Sequence, residues 1–174
     1  MSLKQYNPFW VPFWKIKVSN YLTKKYELLK LVNWDNPECQ YENHFTDYFI
    51  EKNYLTPFTN LISNELQQFA NDLQTSIEVK DLWAQRYVGN TNNMSPHTHG
   101  NHGYSAVLYV EFNPEVHQPT QFLAPFKNFS NGEDLIHKPE VEEGDILIFP
   151  SSIIHYASPS HSKEQRTIFS WNMK

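Results

Sequence analysis

Residues 144–155 read GDILIFPSSIIH. The four consecutive apolar residues Ile146, Leu147, Ile148 and Phe149 make a short buried strand. Pro150 with Ser151 and Ser152 then turns the chain, and His155 follows. A histidine so placed is either a core group satisfied by hydrogen bonds or a metal ligand. The choice rests on what else lies at a suitable spacing.

Eleven residues downstream, Arg166 opens a further β-prone run, RTIFSWN. A guanidinium offers a planar fork of N–H donors that suits a carboxylate. Upstream, residues 94–103 read MSPHTHGNHG. In an extended segment, side chains alternate with period two, so His97 and His99 point to the same side and can converge on one ion. A mononuclear catalytic site usually takes a third protein ligand, and His155 is the candidate. Together these residues describe a ligand triad with open coordination positions beside an anion clamp.

The run of strands extends on both sides. VKDLWAQRYV, YSAVLYVEF, PTQFLAPF, DILIFP and RTIFSWNM are short, β-branched and aromatic, and are separated by Asn, Gly, Pro and Ser clusters. The histidine-rich stretch falls in a loop between two of them. Earlier in the chain, residues 20–32 place Leu22, Tyr26, Leu29 and Val32 at helical spacing, with Asn20 as N-cap. Residues 57–73 carry a second apolar stripe through Phe58, Leu61, Ile62, Leu66, Phe69, Ala70 and Leu73, started by Thr56–Pro57. Residues 33–56 show no period and read as a long loop. The prolines in residues 8–18 limit that aromatic segment to an edge strand or an irregular entry. The pattern is α+β and mainly β: one domain over residues 1–174, with helical and irregular support in 1–76 and an antiparallel sandwich or barrel in 77–174.

In order along the chain, Asn93, His97, His99, the run Tyr104-Ser105-Ala106-Val107-Leu108-Tyr109, Gly144-Asp145, Phe149-Pro150-Ser151, His155, Arg166 and Asn172 form one pattern. It resembles the Fe(II)- and 2-oxoglutarate-dependent oxygenases, and among them a subgroup of small oxygenases of marine bacteria and phages. The resemblance covers about residues 83–174. It implies a double-stranded β-helix of the jelly-roll, cupin-like type, Fe(II) on His97, His99 and His155, and 2-oxoglutarate as co-substrate with its distal carboxylate on Arg166. Tyr87 and Gln85 are further candidates to face the co-substrate. The expected activity is hydroxylation of an unidentified substrate coupled to decarboxylation of 2-oxoglutarate to succinate.

Two positions depart from the family pattern. His99 stands where most such oxygenases carry Asp, which leaves the site one charge more positive. Arg166 is followed by Thr167-Ile168, so a hydroxyl partner has to come from elsewhere, and Ser170 has the parity to supply it. GDILIFPSSIIH also fits a cupin motif, which keeps a cupin-type dioxygenase or isomerase as an alternative. A cupin wants Glu three or four residues after His-x-His, however, where this chain has Gly103 and Tyr104. A non-catalytic barrel module is the third reading.

The remaining histidines read as background. His102 and His117 are expected as solvated loop residues, and His44, His137 and His161 as surface residues. Aromatics make up 16 % of the chain, which fits a packed fold rather than a disordered one. The net charge is −5 and no basic run exceeds Lys24–Lys25, so nothing favours nucleic acid or an anionic membrane as partner. A small-molecule or peptide substrate is expected, with homodimer formation left open. One cysteine, Cys39, excludes an intrachain disulfide, and no apolar stretch is long enough to span a bilayer. Both features lead to the expectation of a cytoplasmic protein.

Overall fold

The computed structural model describes residues 10–42, 44–89, 94–159 and 161–174. Asn93 of the sequence pattern and the first two residues of the 8–18 segment lie outside them. In chain order the elements are β1 (Trp14–Lys17), α1 (Tyr21–Lys30), β2 (Gln40–Tyr41), β3 (His44–Thr46), α2 (Leu55–Leu61) and α3 (Ser63–Leu73). There follow β4 (Val79–Tyr87), β5 (Met94–His97), β6 (Tyr104–Glu111), β7 (Thr120–Lys127), β8 (Asp134–His137), β9 (Asp145–Pro150), β10 (His155–Ala157) and β11 (Arg166–Met173).

Seven strands form one antiparallel sheet in the order β1-β9-β6-β11-β4-β3-β2, and four form a second, β5-β10-β7-β8. From β4 onward the chain crosses between the sheets at every step except the β7–β8 hairpin. This alternation produces the double-stranded β-helix that the sequence pattern implied.

The central strands β6 and β9 are buried on both faces, which explains why they read as almost unbroken apolar runs. Ile146, Ile148, Leu108, Phe169 and Trp171 face the helices, where they meet Leu28, Phe58, Ile62 and Phe69. The alternate residues Leu147, Phe149, Val107, Tyr109 and Ile168 face the small sheet and meet Phe122. Each large side chain fully buried in this way contributes roughly 1.5–3 kcal/mol. Phe58 anchors the helical layer by stacking on Phe169 and meeting Trp171 edge-on, with ring centroids 5.2 Å apart in both pairs.

Gly144, which opens the 144–155 stretch, is held from two directions. Its N–H donates to Tyr109 O at 2.7 Å, and its own carbonyl accepts Val18 N–H at 2.9 Å. Its φ is +85°, and a Cβ there would lie 2.6 Å from the Tyr21 ring. Glycine is required by both backbone and space. The contact docks the start of α1 onto the turn before β9.

Several sequence expectations need correction. Helix α1 forms, but Leu22 and Tyr26 are exposed, and Tyr21, Leu28 and Val32 carry the buried face. Asn20 precedes the helix in a left-handed conformation without a side-chain cap. The stripe over residues 57–73 is split at Ile62 (φ −112°, ψ 20°) into α2 and α3, although Ile62 itself stays in the core. The segment read as a loop over residues 33–56 holds β2 and β3, which extend the large sheet. The histidine-rich stretch is partly strand: His97 ends β5. Segment 14–17 is an edge strand as expected, paired with β9 alone.

Candidate metal and co-substrate site

His97 and His155 are directly paired across β5 and β10, and both rings lie near the ring of His99. Centroid separations are 4.5 Å for His97–His155, 5.0 Å for His97–His99 and 5.0 Å for His99–His155. One nitrogen from each ring lies within 4.8 Å of the others. His99 is placed by its backbone N–H, which donates to Ser151 O at 2.9 Å. The turn Pro150–Ser152 therefore positions His99 and His155 together.

The hydrogen bonds fix the tautomers of two rings. Nδ1 of His97 donates to Ser95 O at 2.7 Å, and Nδ1 of His155 donates to Ile153 O at 2.9 Å. A carbonyl only accepts, so each Nδ1 carries the proton and each Nε2 presents a lone pair. Burial, reinforced by the neighbouring His97, pushes His99 down to about 4. Burial also takes His155 to about 4, against the opposing effect of its bond to Ile153 O. Both are neutral at physiological pH, the form that binds a metal.

A brace of side chains holds the surroundings. Ser105 Oγ bonds Ser151 Oγ at 2.9 Å and donates to Asn172 Oδ1 at 2.8 Å. These three positions of the sequence pattern tie β6, the ligand-bearing turn and β11 to one another. Trp83 lies 5.2 Å from His99, and Phe149 lies 4.8 Å from His155.

Arg166 opens β11 opposite Tyr87 on β4 and is 2 % exposed. Its guanidinium carbon lies 5.1 Å from the centre of the Tyr87 ring. Among the described residues it makes no ion pair, and its Nε and Nη2 are buried with no hydrogen-bond partner, as is Tyr87 Oη. On the adjacent register pair, Arg86 stands opposite Thr167, bonds its hydroxyl and is paired with Glu111 at 3.3 Å. An unpaired buried cation costs several kcal/mol, and no contact among the described residues offsets that cost at Arg166.

A narrow cavity of about 30 Å³ lies between the sheets. Its lining includes His97, His99 and His155 with Gln85, Tyr87 and Ser170. The sequence-derived candidates thus surround one space, and Arg166 stands beside it next to Tyr87. His102, His137 and His161 are exposed, as expected. Two corrections apply to the rest. His117 is buried: its Nδ1 accepts Asn113 N–H at 3.0 Å and its Nε2 meets Glu164 O at 3.2 Å, so it closes a turn rather than facing solvent. His44 is half-buried and stacks on Tyr87. No periodicity around residue 44 signalled this, because β3 spans only three residues.

The alternating two-sheet fold thus places a three-histidine cluster that could hold a metal ion beside a buried cation with no ion-pair partner among the described residues. Residues 81–172, more than half of the chain, match the family described as "Putative 2OG-Fe(II) oxygenase", and the chain belongs to that family. It is a 2-oxoglutarate- and Fe(II)-dependent oxygenase. Solved structures share its fold. An oxidoreductase of the 2OG-Fe(II) oxygenase family from Burkholderia pseudomallei has a TM-score of 0.64 at 10 % identity, covering 92 % of this chain and 84 % of that one. The viral collagen prolyl hydroxylase of Paramecium bursaria Chlorella virus-1, in complex with 2-oxoglutarate, has 0.61 at 12 %, covering 92 % and 94 %. HygX from Streptomyces hygroscopicus, with nickel and 2-oxoglutarate bound, has 0.61 at 10 %, covering 94 % and 82 %. No curated protein matches the chain.

Proposed function

We propose that His97, His99 and His155 hold the Fe(II) through one ring nitrogen each, and that Arg166 with Tyr87 receives the distal carboxylate of 2-oxoglutarate. The reading rests on the unpaired, buried guanidinium of Arg166 beside a cavity lined by the three histidines. The residues fit both groups. Three imidazoles suit a divalent first-row metal, and the Nε and Nη2 groups of Arg166 suit a carboxylate. A cupin reading leaves Arg166 without a role.

Fe(II), when bound, supplies the electrons that let O2 react, and the balanced outcome is one oxygen atom in the substrate C–H bond and one in succinate, with release of CO2. The chain's contribution is placement. The backbone bonds to Nδ1 of His97 and His155 keep their Nε2 lone pairs aimed inward. Phe149 and Trp83 shield the triad from water. Gln85 and Ser170 add an amide and a hydroxyl towards the co-substrate. Tyr87 lines the cavity and also lies beside the guanidinium, so it borders both the space at the histidines and Arg166.

The oxidised substrate is a small molecule or a peptide. Among neighbours of this fold, one is a collagen prolyl hydroxylase and HygX has been solved with hygromycin B, so the scaffold accommodates either. The test is spectroscopic. Anaerobic addition of 2-oxoglutarate to the Fe(II)-loaded protein should give a visible charge-transfer band that is absent from Arg166→Met. A parent protein that loads Fe(II) and gives no band on adding 2-oxoglutarate would overturn the co-substrate assignment.

A further inference from the structure

The cross-strand row that contains Arg166 and Tyr87 continues onto β3. His44 is paired in register with Tyr87, as Tyr87 is with Arg166. Directly opposed residues share a face of the sheet, so all three side chains are on the face that looks towards the small sheet. The His44 and Tyr87 rings are stacked, with centroids 4.6 Å apart and planes 15° from parallel.

Like its neighbours, His44 has an unused polar atom. Its Nε2 is buried with no hydrogen-bond partner. Of the six such side-chain atoms among the described residues, four belong to this one row: His44 Nε2, Tyr87 Oη, and Nε and Nη2 of Arg166. Each orphan costs about 1–3 kcal/mol, and more when charged. Four on three adjacent side chains are therefore a feature with a ligand-sized explanation.

Their chemistry specifies that ligand. Nε and Nη2 form the side-on edge of a guanidinium, the edge that gives a carboxylate two parallel N–H bonds. A carboxylate has about four lone-pair sites, so about two remain after Arg166 has bound. Tyr87 Oη–H can fill one, and an Nε2–H on His44 can fill the other. Burial, followed by the nearby positive charge of Arg166, lowers the His44 pKa to about 4, so the ring stays neutral. It can add a donor without adding a second positive charge to the pocket.

We propose that His44 is a specificity-determining residue for the co-substrate: its Nε2–H donates to the distal carboxylate held by Arg166 and so selects a 2-oxo diacid over a 2-oxo monoacid. The inference rests on the co-substrate reading above. The competing account is that His44 only packs against Tyr87, in which case phenylalanine would serve equally well.

The experiment compares the parent with His44→Phe, which keeps the stacked ring, and His44→Gln, which returns an N–H near the position of Nε2. Each protein is loaded anaerobically with Fe(II) and titrated calorimetrically with 2-oxoglutarate and with pyruvate, a 2-oxo acid that lacks the distal carboxylate. His44→Phe should weaken 2-oxoglutarate binding about tenfold to a hundredfold, leave Fe(II) and pyruvate binding unchanged, and be largely restored in His44→Gln. Unchanged 2-oxoglutarate affinity in His44→Phe would reduce His44 to packing. An equal loss for both acids, or a loss of Fe(II), would likewise overturn the proposal, because His44 would then act through the fold. Failure of the underlying reading looks different: the parent itself would not bind 2-oxoglutarate, or Arg166→Met would bind it undiminished.

Discussion

His155 sits directly opposite His97 on the antiparallel β5–β10 pair, with the two rings 4.5 Å apart and each Nδ1 bonded to a carbonyl two residues earlier in its own chain. Two nitrogens are thus placed by strand register and by local backbone bonds before any metal arrives. Such preorganisation leaves little conformational freedom to be lost on binding.

Removing either ring should therefore abolish tight metal binding while sparing the fold. His97→Ala and His155→Ala are expected to lose at least about a hundredfold in Fe(II) affinity, since even an outer partner of a ligand is worth 10–100-fold. Anaerobic Fe(II) titration checks this, with the far-ultraviolet circular dichroism spectrum as the control for folding.

Arg166→Met should show opposite effects on stability and binding. The substitution removes a buried cation that makes no ion pair among the described residues, and apolar replacement of buried charge is often neutral or stabilising by about 1–4 kcal/mol. The ligand-free variant should melt at or above the temperature of the parent. Adding saturating 2-oxoglutarate to the Fe(II)-loaded proteins should raise the melting temperature of the parent by several further degrees and leave that of the Fe(II)-loaded variant unmoved. Differential scanning calorimetry with and without the acid makes both comparisons.

Glu65 predicts an acid-sensitive step away from the site. It is 1 % exposed and accepts Ser19 N–H at 2.7 Å and Ser19 Oγ–H at 2.8 Å, with Lys24 at 3.5 Å. Burial alone would raise its pKa, but the Ser19 bonds and Lys24 outweigh it and hold the carboxyl below its ordinary value of 4.5. An acid with a depressed folded pKa stabilises fully above the unfolded value and loses that contribution as pH falls through the folded one. Glu65→Gln should cost about 1.5–3 kcal/mol at pH 7, and the difference from the parent should shrink as pH drops below 4.5. Urea unfolding at stepped pH measures it.

Gly144→Ala should be among the more damaging small substitutions. A Cβ would lie 2.6–2.9 Å from atoms of the Tyr21 ring at a backbone φ of +85°. The buried Tyr21 hydroxyl donates to Val110 O, which prevents the ring from swinging aside freely. A loss of about 2–4 kcal/mol is expected, read as a lower urea midpoint at constant slope.

The parts of this molecule that were legible in its sequence share a physical cause. Strands β6, β9 and β11 are almost wholly buried, and β4 and β7 are long and partly buried, so their composition betrays them. His97, His99, His155 and Arg166 were legible because strand ends and turns impose spacings that chemistry needs. The rest depends on contacts distant in the chain. Strand β3 is three residues long and makes sense only beside β4, so His44 passed for a surface residue. Pro96 and the exposure of both Ser95 and Pro96 hid β5, an edge strand. Leu22 and Tyr26 satisfied the helical period on the wrong side of α1, because the docking of Tyr21 against Gly144 sets the rotation of that helix.

The division of labour between the sheets has a mechanical consequence. His97 and His155 belong to the four-stranded sheet, whereas His44, Tyr87 and Arg166 belong to the seven-stranded one. A molecule that reaches from the histidines to the guanidinium is a strut across the gap between two slabs. With the strut in place, sliding or parting of the slabs has to stretch it, and amides of β5 and β10 should exchange their hydrogens more slowly than in the empty protein. On the proposed binding mode, turnover replaces a five-carbon strut with a four-carbon one, and the slowed exchange of the β5 and β10 amides should revert when succinate takes the place of 2-oxoglutarate.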